Sequence, residues 1–560
     1  MKRVLFCLCL VALISLLTVT LLSCSEQPAV TTAETTSNTA ETTAHTVETT
    51  SNTVETTVAP DTTETLVNGL PNYVDGKLFI IEDGKTNYRV TFAQGANAKP
   101  GTGPVFSNAL ASLRKAFKNY GFQLITIQND AIPLGQEDTF VAPAYEILIG
   151  NTNREESAVA TDDLAFNQAI IRTIGKKIVI VGKNDALTAM AVLKFIETYM
   201  PSDGKAVLVP LDLNETITLD LSYSSVTNMS YADMADDVWD SFNDAYWQGQ
   251  WVEGAGWWDA AEILETYIDV YEQTGASEDK AKMLNFATGF IRNHNFNWTY
   301  NEYNDDIMWA CIAFARIANL TGNKQYANYA KQNFDAVWNR AWDTKLGGGL
   351  YWRVDNKTKN SCVNCPAAIA ACQLGIFFKD ENYFEIAKKI MAWEIKWMFE
   401  PSTGRVYDAY PLEGEISKWA STYNQGTFIG ACTLLYQHYN DEIYMTYANR
   451  AASFAMSNLT QNGILHNGEG NPASDNGDLP GFKGILTRWL YRYAKAAESI
   501  EVLTFLQNNA ATAYQNKNKD GVIWTNWVDK TPDDATHNAN YRTFGMSTAV
   551  ALMYNCQQWW

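Results

Sequence analysis

The sequence predicts a mainly α protein, an (α/α)6 barrel preceded by a small α/β domain. Three observations lead there. Beyond about residue 228, long amphipathic stretches follow one another, separated by loops rich in Gly, Asn, Asp and Pro. Some of these stretches are strongly apolar (IMWACIAFARIA, AAIAACQLGIFF, TFIGACTLLY), while others carry more Lys, Asp and Glu. Before them, from 66 to 222, short β-like runs alternate with helical ones.

The chain opens MKRVLFCLCLVALISLLTVTLLSC, two cations followed by a long apolar run, which reads as a secretory signal over 1–23. Its end, Leu21-Leu22-Ser23-Cys24, resembles the lipobox of bacterial lipoproteins. That resemblance implies lipidation of Cys24 and a protein lipid-anchored on the cell surface or the outer face of a membrane. A simple signal peptide or an uncleaved anchor are the other readings; all three export the protein. No later stretch is expected to span a bilayer. Residues 24–65 are Thr- and Ser-rich, with Glu34, Glu41, Glu48 and Glu55 seven apart. Thr and Ser stand where a coiled coil needs Leu or Ile, so the segment reads as a disordered spacer.

In the 66–222 domain, YEILIG (145–150) and KKIVIVG (176–182) read as strands ending in turns. DALTAMAVLKFIETYM reads as a helix, and AVLVPLDL and ITLDLSYSS as closing strands. Gly182-Lys183-Asn184 lacks the glycine spacing of a dinucleotide loop, so this domain is expected to be accessory. In 228–560 the periodicity predicts twelve helices: 231–248, 257–274, 279–293, 305–320, 324–340, 363–378, 383–399, 422–439, 443–459, 483–498, 500–516 and 545–558. Alternation of buried with half-exposed helices fits six inner helices inside six outer ones.

Composition narrows the chemistry. A net charge of −20 repels nucleic acid. The 18 Trp and 28 Tyr exceed what packing needs and suit stacking on sugar rings. Cys362 and Cys365 form a lone CxxC with no second pair, so buried thiols or one disulfide are expected rather than a zinc site. None of the five His lies in a metal-spaced pair, and no GxSxG or P-loop occurs. The run Asn516 to Gly521 mimics a calcium loop, but Trp527 stands where the closing Glu belongs. No cofactor is called for.

Four Asp-Asp pairs occur, at 162–163, 236–237, 305–306 and 533–534. Only Asp305-Asp306 heads an apolar run, in YNDDIMWACIAFARIA. A helix cap explains one carboxylate, since an N-cap Asp accepts backbone N–H bonds and anions are favoured there. Two suggest glycosidase chemistry, in which a retaining enzyme needs carboxyls about 5–5.5 Å apart.

The region from about Tyr231 onward resembles the glycoside hydrolase family 76 α-1,6-mannanases. WWDAAEILETYIDVYEQTG, YNDDIMWACIAFARIANLTGNKQYANYA, WDTKLGGGLYWR, KNSCVNCPAAIAACQL, TGRVYDAY, STYNQGTFIGA and FKGILTRWL carry the likeness, in order. The resemblance does not cover the first 225 residues or so. It implies a retaining endo-enzyme of the (α/α)6 fold acting on mannan, with Asp305 as nucleophile and Asp306 as acid/base. Asp408 is then expected on sugar hydroxyls, or else as a loop Asp bonded to its own backbone. Trp258, Trp309 and Tyr423 stack on sugars or fill the core, with core the expectation for Trp309. Asn424 and Gln425 can recognise hydroxyls. A monomer is expected. Two rivals stay open: another (α/α)6 glycan-active enzyme or transglycosidase, and a non-catalytic glycan-binding lipoprotein.

Overall fold

The computed structural model describes residues 73–560 apart from 83, 95–105, 123–124, 133–134, 137, 203, 471–476 and 538–542. The expected signal, Cys24 and the spacer lie outside the described residues. The chain divides between Asp220 and Leu221 into two compact units.

The first unit holds a small antiparallel sheet of β1 (Tyr73–Val74), β2 (Lys77–Glu82) and β8 (Ala206–Pro210), and is built on a larger, mixed sheet. Its strands include β3 (Arg89–Phe92), β4 (Ile127–Asn129), β5 (Glu146–Ile149), β6 (Gln168–Ile174), β7 (Lys177–Gly182) and β9 (Asn214–Thr218), in the order β4-β3-β5-β7-β6-β9. The β4-β3-β5-β7 half is parallel and the β7-β6-β9 half antiparallel. Continuous Val/Ile runs suit a strand covered on both faces, and every residue of β5 and β7 is buried. Helices α1 (Ser107–Asn119), α2 (Glu155–Thr161) and α3 (Asp185–Tyr199) belong to this unit. The run ITLDLSYSS does not form one strand. β9 ends at Thr218, and a separate two-residue strand follows at Tyr223–Ser224. Only alternate residues of β9 are even half-covered, and the buried Leu219 lies just past its end.

The second unit holds twelve α-helices among the described residues, at the predicted places. The inner six are α5 (Trp258–Thr274), α7 (Asn304–Thr321), α9 (Ser361–Phe378), α11 (Thr422–Tyr439), α13 (Phe482–Ala496) and α15 (Thr543–Tyr554). The outer six are α4 (Tyr231–Tyr246), α6 (Ser277–His294), α8 (Lys324–Ala341), α10 (Glu381–Trp397), α12 (Glu442–Asn458) and α14 (Ile500–Gln515). Each inner helix packs on the next, and α15 packs back on α5, so the ring closes. The outer helices bury one stripe; on α8 it is Ala327, Ala330, Phe334, Val337 and Ala341, at helical spacing.

The inner helices α9 and α15 are apolar almost all round because neighbours cover nearly every side. By length and composition Ser361–Phe378 would suffice to cross a membrane, contrary to the expectation from sequence. Within that stretch 83% of residues are buried, as befits a core helix ringed by others. Small residues set the helix spacing. A Cβ on Gly430 would lie 2.4 Å from the Trp489 ring, so α11 and α13 could not keep their distance with any larger residue there.

The core also contains ions. From one turn into α5, Glu262, Glu265, Asp269 and Glu272 face Arg316 of α7 and Arg488 and Arg492 of α13. Arg488 Nε meets Asp269 at 2.7 Å, and its Nη1 meets Glu262 and Glu265 at 2.9 Å each. Burial, with the repulsion of Glu265, pushes the Glu262 carboxyl up to about 8. Four carboxyls face three guanidinium groups, and a proton on Glu262 relieves that excess of acid.

Candidate active site

The six inner helices begin at one end of the ring, and their first turns touch one another. Trp258 opens α5. Asp305 and Asp306 are the second and third residues of α7, Cys362 the second of α9, and Tyr423 and Asn424 the second and third of α11. Phe482 opens α13, and Phe544 is the second residue of α15. The Trp258 ring lies 4.9 Å from Phe544 and 6.1 Å from Trp309. Tyr423 stacks on Phe482 at 4.0 Å. The ring of helix starts also supplies the positive ends of six helix dipoles, favouring anions there.

Neither aspartate is the helix cap. The cap position is Tyr303, which makes no side-chain bond to the helix. The start of α7 is held from outside instead. Asn304 donates to Tyr351 O at 2.8 Å and accepts from Arg340 Nε at 2.7 Å. The same guanidinium donates to Thr299 O and Asn301 O, clamping the loop before the helix. Both carboxylates are thereby freed for other partners.

Asp305 Oδ2 accepts from Trp352 Nε1 at 2.9 Å and from the Cys362 thiol at 3.3 Å. Its Oδ1 is buried and has no hydrogen-bond partner. Asp306 Oδ2 accepts from Asn301 Nδ2 at 2.8 Å. Burial raises both carboxyls, and for Asp305 the charge on Asp306 adds to it. Asp306 is pushed up to about 6, burial being reinforced by Asp478 and Asp259. Asp478 accepts from Trp258 Nε1 at 3.1 Å. Asp259 accepts from Gly256 N–H with both oxygens, at 2.9 Å each. Two adjacent carboxyls that resist full ionisation hold a proton near neutrality, as a nucleophile and acid pair requires.

Trp352 reaches Asp305 because of the glycine turn before it. Gly349 has φ +84°, and a Cβ there would lie 2.6 Å from Trp393. The buried Lys359 ammonium ties the turn by donating to Lys345 O at 2.7 Å, Gly348 O at 2.6 Å and Asp343 Oδ1 at 2.6 Å.

Asp408 comes to the same end of the ring. Its Oδ1 accepts from Asn424 Nδ2 at 3.4 Å, so it is not a loop Asp bonded to its own backbone. Burial raises its carboxyl as well. Asn424 is buried, with its Oδ1 unpartnered. Trp258 and Tyr423 are half-buried at this end, whereas Trp309 is 1% exposed and belongs to the core. Gln425 is a correction. It is fully buried, and its amide is spent on backbone: Oε1 accepts from Val406 N, while Nε2 donates to Gly404 O and Ala451 O at 3.0 Å each. No capacity is left for a sugar; Gln425 instead braces the loop that carries Asp408.

Sequence reasoning did not single out Trp352, Cys362, Asn301, Asp259 or Asp478 as site residues. The six described cysteines are free and buried, and Cys365 faces Glu394 and Cys432 rather than the carboxylates. Among the described residues no three His, Cys, Asp or Glu side chains converge to hold a metal ion.

Known proteins share this architecture. The profile described as Glycosyl hydrolase family 76 matches residues 222–557. The chain is 23% identical over 333 residues to the mannan endo-1,6-alpha-mannosidase DFG5 of Candida albicans, covering 53% of this chain and 72% of that one. It resembles the solved GH76A alpha-1,6-mannanase of Salegentibacter sp. HEL1_6 at 29% identity and TM-score 0.52, over 58% of this chain and 99% of the other. It resembles equally well (29%, TM-score 0.52, 59% and 99%) an inactive variant of that enzyme solved with alpha-1,6-mannotriose. In that variant two consecutive aspartates are replaced by asparagine.

Proposed function

The chain belongs to glycosyl hydrolase family 76, and from that premise we propose that it is a retaining, endo-acting hydrolase of α-1,6-mannosidic bonds in mannan. The observation that carries the reading is the Asp305-Asp306 pair in the first turn of α7, freed from capping and ringed by aromatic helix starts. Asp305 is the nucleophile, with two donors on one oxygen to favour its charge. Asp306 is the acid/base, held near the pH at which a carboxyl both gives and takes protons. Asp306 protonates the glycosidic oxygen as the C1–O bond breaks and an Asp305 carboxylate oxygen bonds C1. Water then attacks C1, its proton passes to Asp306, and the ester bond to Asp305 breaks. Trp258 and Tyr423 present rings to the sugars, and Asp408 with Asn424 binds hydroxyls. The orphaned Asn424 Oδ1 supports that role.

The test is product release from linear and side-chain-bearing α-1,6-mannan by the wild type, Asp305→Asn and Asp306→Asn. Short oligosaccharides from the wild type and none from either variant support the proposal. A wild type that binds mannan without cutting it makes the protein a glycan-binding module. Products longer than the substrate make it a transglycosidase. The reading extends to an exported protein anchored by lipid on Cys24, supported by the apolar segment ending Leu-Leu-Ser-Cys. Incorporation of labelled palmitate by the wild type but not by Cys24→Ser tests it.

A further inference from the structure

The Asp305 carboxylate is held asymmetrically. The two side-chain donors that reach it, the Trp352 indole and the Cys362 thiol, converge on Oδ2. Oδ1 has no hydrogen-bond partner. The donors come from separate elements: Trp352 follows the glycine turn, and Cys362 stands in the first turn of α9. Their convergence fixes the rotation of the carboxylate about its Cβ–Cγ bond. We propose that Trp352 and Cys362 are positioning residues for the nucleophile: they hold Oδ2 and leave Oδ1 as the oxygen that bonds the anomeric carbon.

The inference rests on the glycosidase reading and deepens it. When C1–Oδ1 forms and the glycosidic C1–O bond breaks, Oδ2 becomes the carbonyl oxygen of an ester. When water adds to C1 and the C1–Oδ1 bond breaks, the electron pair returns to the carboxylate and Oδ2 regains charge. Donors on Oδ2 therefore favour the departing carboxylate in the second half of the reaction. They also act against the burial and the Asp306 charge that raise the Asp305 carboxyl. A thiol can serve because it stays protonated. Cys362 is 3% exposed, and burial together with Asp305 and Asp408 pushes its thiol well up. The other titratable groups around the carboxylate are Asp306 on its own helix and Tyr423 on α11. Asp259 and Asp478 act on Asp306.

The experiment compares the wild type with Cys362→Ala, Cys362→Ser, Trp352→Phe and the control Cys365→Ala. Cys365 lies one turn further along α9 and touches neither aspartate. Two readouts are taken: the pH profile of kcat/KM on linear α-1,6-mannan, and a difference-infrared titration of the carboxylates, which needs no substrate. Losing one donor should move the acidic limb and the Asp305 titration to higher pH by roughly one unit, about a tenfold loss of kcat/KM below the limb. Cys362→Ser, which restores an O–H donor, should recover most of the shift, and Cys365→Ala should show none. An infrared titration identical in the wild type, Cys362→Ala and Trp352→Phe overturns the inference. If the wild type cuts no mannan, the substrate reading fails, while the infrared titration still decides this one.

Discussion

Glu262→Gln tests the charge balance of the buried network. The Glu262 carboxyl sits at about 8 in the folded protein against an ordinary value of 4.5. The folded chain therefore keeps a proton that the unfolded chain gives up between those limits. The stabilisation from that proton is fully present below pH 4.5 and is lost as pH rises toward 8. A span of 3.5 units at about 1.4 kcal/mol each is on the order of 5 kcal/mol. Gln keeps the neutral form and still offers an oxygen to Arg488, so the variant escapes this loss. At pH 5 the two proteins should unfold within about 1 kcal/mol of each other, and at pH 8 the variant should be more stable by several. Urea unfolding followed by tryptophan fluorescence measures this for the helical unit alone, because every Trp lies at or beyond Trp239. A difference that stays flat from pH 5 to pH 8 would mean that Glu262 is ionised in the folded state, and its place as the protonated member of the network would be wrong.

Two further outcomes are expected. Asn301→Ala removes a hydrogen bond that lowers the Asp306 carboxyl, so the alkaline limb of kcat/KM, near pH 6 in the wild type, should move upward; a downward move would assign that limb to another group. Gln425→Ala removes three buried hydrogen bonds to backbone groups of Val406, Gly404 and Ala451, so it should cost at least about 2 kcal/mol in urea unfolding and weaken mannan binding through the Asp408 loop; a variant as stable as wild type would contradict the bracing role.

Helices were the most legible feature of the sequence. Their 3.6-residue stripes, their Gly and Asn stops and their apolar inner members are local signals, and Gly275, Gly322 and Asn440 do end helices in the left-handed conformation. Strands in the first unit were harder to place, because β9 owes its length to pairing with β6 and not to its own pattern. Asp305 and Asp306 stood out because charge beside an apolar run is unusual. Their partners did not, since Trp352 lies 47 residues away and Cys362 57, distances that no periodicity spans. Cys362 was weighed as a metal ligand or disulfide partner, roles judged from spacing, whereas its contact depends on where α9 begins beside α7. Gln425 misled for the opposite reason. Its polarity suggested a sugar partner, but burial turned that polarity toward the backbone.

Closure of the inner ring has a consequence for synthesis. The last inner helix to leave the ribosome, Thr543–Tyr554, is the one that packs against the first, Trp258–Thr274. Until it docks, the nascent unit is an open crescent with oily walls, and Trp258 lacks the Phe544 ring that seats it. The arrangement around Trp258 is therefore complete only once that helix has been made and has docked.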